Sequence, residues 1–344
     1  MVRTPPRSSL ATRATELVVA LQQRFVAGLE RASAVVGPAD RFSAAEWLRD
    51  DGRHGGGVRW GMGDSAMYQR ASINVSTVHY DDLPDRKLAC ACALSSIVHP
   101  ADPRRPSLHL HVSWTQLRDA SGYWRVMADL NPCLPVEDDR LAFLEVLRRA
   151  APDLYEGAIA QGDRYFYIPA LGRHRGVAHF YLEGHDSGSW ERDAEMAGQV
   201  EASVIDFYCG LLGRALPPEP PTEAQLRAQL DYHTLYLFQV LTLDRGTTSG
   251  LMIHDQNDEG IMGSLPAFVD RALLASWRER VPVPQGELVE AIASALPAGE
   301  RAEVTAELKR KLAQVVREHY RRHPAALELQ ASGTVIPPTV DNHR

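Results

Sequence analysis

The chain has 344 residues, 44% of them hydrophobic and 24% charged, and a formal net charge of −7. That is enough chain to bury one large core. The acidic balance excludes the basic field that recruits nucleic acid, so an anionic substrate needs local cations.

The residues from Met1 to Phe25 do not form a secretion signal. Their apolar positions are interrupted by Glu16, Gln22, Gln23 and Arg24 and recur at helical spacing, which predicts an amphipathic helix over 8–31. DDGRHGGGVRWGMGD (50–64) reads as a glycine-rich loop. The stretch 72–79 alternates as a strand, and PADPRRP (100–106) carries three prolines that deny backbone donors. SLHLHVSW (107–114) and GYWRVMADL (122–130) read as an antiparallel pair with a turn near 119–122. A helix follows over 138–150, then strands over 164–169 and 175–183, a helix over 190–214 and another over 222–231. LYLFQVLTLD (235–244) and SGLMIH (249–254) read as two strands. Helices over 267–279, 285–296 and 302–323 complete one domain, 1–330. The tail 331–344 is expected to be poorly ordered. No run approaches the ~20 apolar residues of a membrane span. The four cysteines lack paired CxxC spacing, so no zinc site is expected and a reducing cytoplasm fits. Consecutive strands with short turns and grouped helices give an α+β class with an antiparallel sheet.

In SLHLHVSW, Leu108, Leu110, Val112 and Trp114 fall on one face, and His109, His111 and Ser113 on the other. The next strand puts Tyr123, Arg125, Met127 and Asp129 on one face. The strand over 175–183 groups Arg175, Val177, His179, Tyr181 and Glu183. Acid, base and cation on one sheet face suit a site that moves a proton and holds a carboxylate. A polar face that is merely wet gives the same alternation, so the pattern alone leaves both readings open.

GGGVRWGMGDSAMYQRASINVSTVHYDDLP, SSIVHPADPRRPSLHLHVSW, GYWRVMADLNP, RGVAHFYLEGHDS and LDRGTTSGLMIHDQNDEGIMGSLP resemble, in order and spacing, segments of the oxygen-dependent coproporphyrinogen III oxidases. The resemblance runs from about Arg53 to Leu265. It implies a large flat antiparallel β-sheet flanked on both sides by α-helices, and a homodimer. It also implies oxidative decarboxylation of propionates to vinyl groups with molecular oxygen as co-substrate and no cofactor. By the same resemblance His109 is the proton donor, Asp129 the acid facing the pyrrole nitrogens, and Arg245 and Arg175 arginines that hold carboxylate or stabilise charge. Ser95 contacts substrate, and Asn74 shapes the pocket. His99 matches a histidine proposed as a metal ligand. Two further such positions are Ala142 and Ala170, so no metal is expected.

This chain departs from the family pattern at Ser113 and at Asn257, where the family carries arginines. With His111 beside Ser113, these positions are candidate substrate-specificity residues. Each propionate lost from an ionic partner costs ~1.5–3 kcal/mol. Three readings follow: an authentic member of the family, an oxidase acting on a smaller anionic pyrrole or indole in a specialised pathway, or a catalytically silent tetrapyrrole-binding or partner protein.

Overall fold

Seven antiparallel strands form the central sheet of the computed structural model, which describes residues 3–333 and residue 342. They are β1 (Ser43–Leu48), β2 (Gly55–Gly63), β3 (Tyr68–His79), β4 (Leu88–Pro100), β5 (Ser107–Leu117), β6 (Gly122–Asn131) and β7 (Ala178–His185). Each pairs with the strand that precedes it in the chain, so spatial order repeats chain order.

Strand alternation sorts the side chains between two layers. Leu108, Leu110, Val112 and Trp114 of β5 are buried against α1 (Ser9–Ser33), α2 (Glu137–Ala150) and α4 (Trp190–Leu212), together with Ile73, Val75, Leu94 and Val126. Helix α1 is capped by the Ser8 hydroxyl, which accepts from the Ala11 amide at 3.3 Å. It buries Ala14, Val18, Leu21, Phe25 and Leu29, the three-to-four spacing of one helical face. Helix α3 (Tyr155–Phe166) packs beside β7.

The opposite face is covered by the C-terminal half: α5 (Glu223–Thr242), α6 (Arg245–Ile253), α7 (Asp258–Ile261), α8 (Arg271–Ala275), α9 (Gln285–Ala295) and α10 (Ala306–Arg322). A second core joins these helices, with Ile97 of β4 among its members. The result is an antiparallel sheet between two helical layers, the α+β class read from the sequence.

Several elements differ from the sequence reading. The segment 235–244 is the end of helix α5, and 249–254 lies in α6. Thr222 and Gln225 form a reciprocal cap at the start of α5, and every residue from Tyr232 to Thr242 is buried. A helix buried all round has no polar face, so its apolar run mimics a strand. Of the segment 164–169, residues 164–166 are the last turn of α3, Tyr167 and Ile168 form a two-residue strand, and Pro169 starts a 3₁₀ turn. The glycine-rich stretch is strand β2 rather than a loop. It pairs with both neighbours, and a Cβ on Gly55 (φ +92°) would sit 2.2 Å from the Thr77 carbonyl. Strands β1 and β4 go beyond the predicted elements; β4 alternates through Ala, Cys and Ser, which carry little strand signal. In place of a helix over 267–279 there is a two-residue strand and the short α8. Gln330, the last residue before the tail, is buried and donates to Thr248 at 2.6 Å and Tyr320 at 3.0 Å, and in the tail the Ala331 amide donates to the Leu243 carbonyl at 2.9 Å. Residues 334–341, 343 and 344 lie outside the described residues. Among the described residues no helix is long and apolar enough to cross a membrane.

Candidate active site

On the sheet face turned toward α5–α7, cross-strand partners fall into rows. Asn74, Ser95, His111 and Met127 form one row. Ile97, His109, Asp129 and His179 form the next. Ser76, Ala93, Ser113 and Arg125 lie on the other side. Strand spacing of roughly 4.8 Å brings these side chains within reach of one small molecule. All of them except Ser113, Asp129 and His179 floor a cavity of about 200 Å³, roofed by Tyr236 and Val240 of α5, by Asp244, and by Thr247 and Gly250 of α6.

One buried carboxylate organises the floor. Asp129 Oδ1 lies 2.7 Å from His109 Nδ1. Its Oδ2 accepts from Arg175 Nη2 at 2.7 Å and from Asn131 Nδ2 at 2.6 Å. Burial alone would raise the acid, but Arg175 and His109 outweigh it and hold Asp129 well below the usual carboxylate range. An ionised carboxylate only accepts, so Nδ1 of His109 carries the proton and Nε2 is left for the cavity that His109 lines. Arg175 Nη2 also lies 3.3 Å from Nδ1, a contact of two donors converging on the same carboxylate.

Arg175 is itself fixed. Nη1 donates to Gln239 of α5 at 2.6 Å, and the guanidinium stacks between Phe166 and Tyr236 at 4.5 and 4.8 Å from their ring centroids. Gly176 follows with φ +78°, where a Cβ would lie 2.8 Å from Asn131 Oδ1.

A second charge pair borders the cavity. Arg125 Nε and Nη2 both meet Glu183 Oε1 at 2.8 Å. Burial works against the Arg125 charge, but Glu183 outweighs it. His111 Nε2 is 3.1 Å from the Ser113 hydroxyl. Burial, then Arg125 and His109, push the His111 imidazole well below its ordinary range, so it is neutral at pH 7. Tyr165 donates to Asp244 Oδ1 at 2.8 Å, and Asp244 Oδ2 caps α6 through the Thr247 amide at 2.7 Å.

The structure thus brings Asn74, Ser95, His109, His111, Arg175 and Asn257 to one cavity. Ser113 lines a neighbouring cavity that shares His111 and Arg125 with the first. Asp129 is fully buried, with its oxygens engaged by His109, Arg175 and Asn131. Arg175 lines the cavity while its guanidinium donates to Asp129 and Gln239. Arg245 stands outside the lining, and its Nε donates to the Ala331 carbonyl at 2.9 Å. His99 is buried with Nδ1 3.1 Å from the Ser107 hydroxyl and Nε2 3.1 Å from the Ser264 carbonyl, so both nitrogens already have protein partners. Among the described residues no group of three or more His, Cys, Asp or Glu is placed to hold a metal.

Sequence reasoning missed Asn131, Gln239, Asp244 and Tyr236. The signal for Gln239 was there: a lone amide inside an apolar run, which needs a buried partner. Reading that run as a strand hid it.

The family model for coproporphyrinogen III oxidase matches residues 13–280. The human mitochondrial oxygen-dependent coproporphyrinogen-III oxidase is 27% identical over 272 residues, covering 72% of this chain and 58% of that protein. The Rickettsia bellii (strain OSU 85-389) oxygen-dependent coproporphyrinogen-III oxidase is 28% identical over 244 residues, 67% of this chain and 85% of that one. The protein of the same name from Synechococcus sp. (strain CC9605) is 29% identical over 304 residues, 77% and 81% of the two chains. The chain therefore spans less than two thirds of the human relative's length, and most of the bacterial ones'. With the family match extending over most of its length, from the first helix through the sheet to the roof of the cavity, the chain belongs to the coproporphyrinogen III oxidase family.

Proposed function

We propose that this chain is an oxygen-dependent, cofactor-independent oxidase of a reduced, carboxylate-bearing tetrapyrrole, with coproporphyrinogen III as the substrate its relatives' names point to. The observation that carries the reading is His109 at the cavity surface, held by the ionised and fully buried Asp129. In the reaction, a propionate carbon next to the pyrrole loses a hydrogen with its electron pair, the carboxylate leaves as carbon dioxide, and a vinyl group forms. The two electrons and two protons pass to oxygen, giving hydrogen peroxide. The substrate itself supplies both electrons, its electron-rich pyrrole easing their loss from the adjoining carbon, so the reaction calls for no separate electron carrier.

The protein's part is orientation and proton handling. His109 is the catalytic residue, exchanging a proton at Nε2 with the substrate or the developing peroxide. Asp129 is a positioning residue that fixes the tautomer and orientation of His109, and Arg175 keeps Asp129 charged. Ser95, Asn74 and neutral His111 orient the ring by hydrogen bonds. Arg245 is assigned a supporting role near Glu183, whose charge it favours.

A second reading keeps the chemistry and reduces the substrate to a smaller anionic pyrrole or indole. It is favoured by the ion pairing of both arginines that line the cavity, and by Ser113 and Asn257 standing where arginines are expected. Incubating the protein with coproporphyrinogen III in air, with oxygen uptake and vinyl products measured, separates the readings. Stoichiometric oxygen uptake with vinyl formation supports the first. Turnover only of a monopyrrole or indole carboxylate supports the second, and no oxygen-dependent turnover of either defeats both. A cytoplasmic homodimer is part of the same proposal, tested by light scattering of the purified chain.

A further inference from the structure

A further cavity of about 300 Å³, distinct from the one Ser113 lines, adjoins the first along the same sheet face. Arg59 of β2 and Arg70 of β3 line it, and Lys309 of α10 closes it from above. Ser72 borders both cavities, and Arg59 is the cross-strand partner of Asn74 on the floor of the first. Strand register puts Arg59, Arg70, Ser72 and Asn74 on one face, because they pair as Arg59 with Asn74, Gly61 with Ser72 and Gly63 with Arg70.

The charges in this cavity are not balanced. Lys309 is only 6% exposed and enters no salt bridge among the described residues. Burial, then Arg70 and Arg59, lower its ammonium to about 7, with Glu259 pulling the other way. Arg70 Nε is buried with no hydrogen-bond partner, and burial depresses the guanidinium against Asp64 and Glu303. Glu259 lies 3.7 Å from Arg59 but is shared with Arg310 at 3.1 Å. Two guanidinium groups and an amine that is only partly protonated at neutral pH thus face one space that holds Asp64 and a shared Glu259. Such a gathering is unfavourable until an anion enters it.

We infer that the Arg59–Arg70–Lys309 cavity is an anion subsite that takes a carboxylate arm of the molecule oxidised in the adjoining cavity. The substrate half of this inference rests on the reading of a carboxylate-bearing substrate. The subsite offers an ionic partner that the paired Arg125 and Arg175 do not. A bound carboxylate draws a proton onto Lys309, so binding is tighter below pH 7 than above it, with Arg59, Arg70, Asp64 and Glu259 as the charges that face the ammonium.

The test uses free propionate as probe and neutral propionamide as control. Lys309 in the intact protein is labelled with acetic anhydride at pH 7.5 and read by mass spectrometry. Propionate slowing the labelling several-fold, propionamide having no effect, and Arg70→Gln abolishing the protection support the subsite; no protection by propionate overturns it. In the second arm, Arg70→Gln and Lys309→Met are assayed with coproporphyrinogen. A KM raised roughly 10-fold, by more than kcat falls, supports the substrate carboxylate as the occupant. Protection by propionate with an unmoved KM overturns that occupant in favour of a free anion. If the wild-type protein does not turn over coproporphyrinogen, the functional reading falls while the labelling still decides the subsite.

Discussion

The carboxylate of Asp129 and the guanidinium of Arg175 meet at 2.7 Å with 0% and 1% of their side chains exposed. Removing one member of such a pair leaves the other charge buried and uncompensated, which costs ~3–5 kcal/mol, whereas replacing both with apolar groups costs far less. Arg175→Met is therefore expected to destabilise the protein more than Arg175→Met combined with Asp129→Leu, as read by urea midpoints. Additive losses would refute the pairing. The pH dependence carries a sign. Asp129 is depressed in the fold, so its contribution is full above the unfolded carboxylate pKa of ~4 and is lost as pH falls through and below it. The stability gap between the wild-type protein and Asp129→Asn should shrink as pH falls from 6 to 3.

Glu201 of α4 shows the opposite sign. It is fully buried, and burial raises its carboxyl well above the usual range against a smaller pull from the Met127 backbone. The folded state then holds a proton that the unfolded state releases above pH ~4.5. Stability falls as pH rises, by about 1.4 kcal/mol per pH unit within the window between the two pKa values. Glu201→Gln should remove that slope, so chemical denaturation at pH 5 and pH 8 should show the variant gaining on the wild-type protein at the higher pH. Parallel curves would contradict the assignment.

Gly176→Ala tests the backbone support of the site. At φ +78°, a Cβ would lie 2.8 Å from Asn131 Oδ1 and 2.9 Å from the Leu130 carbonyl. A loss of ~1–3 kcal/mol is expected, with a fall in kcat because Asn131 and Arg175 both hold Asp129. Gly172→Ala is the control. It shares a positive φ of +62° but has nothing within 4 Å, so thermal melts should show a smaller loss and kinetics an unchanged kcat.

Glu183→Gln keeps volume while uncovering the Arg125 charge at the cavity wall. KM for a carboxylated substrate should fall several-fold, at a stability cost of at most ~3–5 kcal/mol. An unchanged KM would show that Arg125 does not meet the substrate.

Particular residues show how much of this could be read in advance. The polar front of SLHLHVSW was legible because strand alternation is strict, and β6 and β7 add Arg125, Asp129 and Glu183 to the same face by the same rule. Register was not legible. Only the pairing His109↔Asp129 shows that these two residues meet, and that His111 faces Met127 instead. The roof was hidden by α5, whose all-round burial erased the helical period and with it Gln239 and Tyr236. Asp129 was legible as a residue, but its full burial was not, since sequence cannot show that His109, Arg175 and Asn131 all meet one carboxylate. The proposed anion subsite was invisible because Arg59 lay in a stretch read as a loop, and Lys309 comes from α10, far along the chain from both arginines.

The most direct test of the account is oxygen uptake with coproporphyrinogen III by His109→Asn, with retained fold checked by circular dichroism. A positioned proton-transfer group contributes ~10²–10⁴-fold. The account predicts a loss of at least ~10²-fold in kcat with KM little changed; a variant that consumes oxygen at the wild-type rate would contradict it.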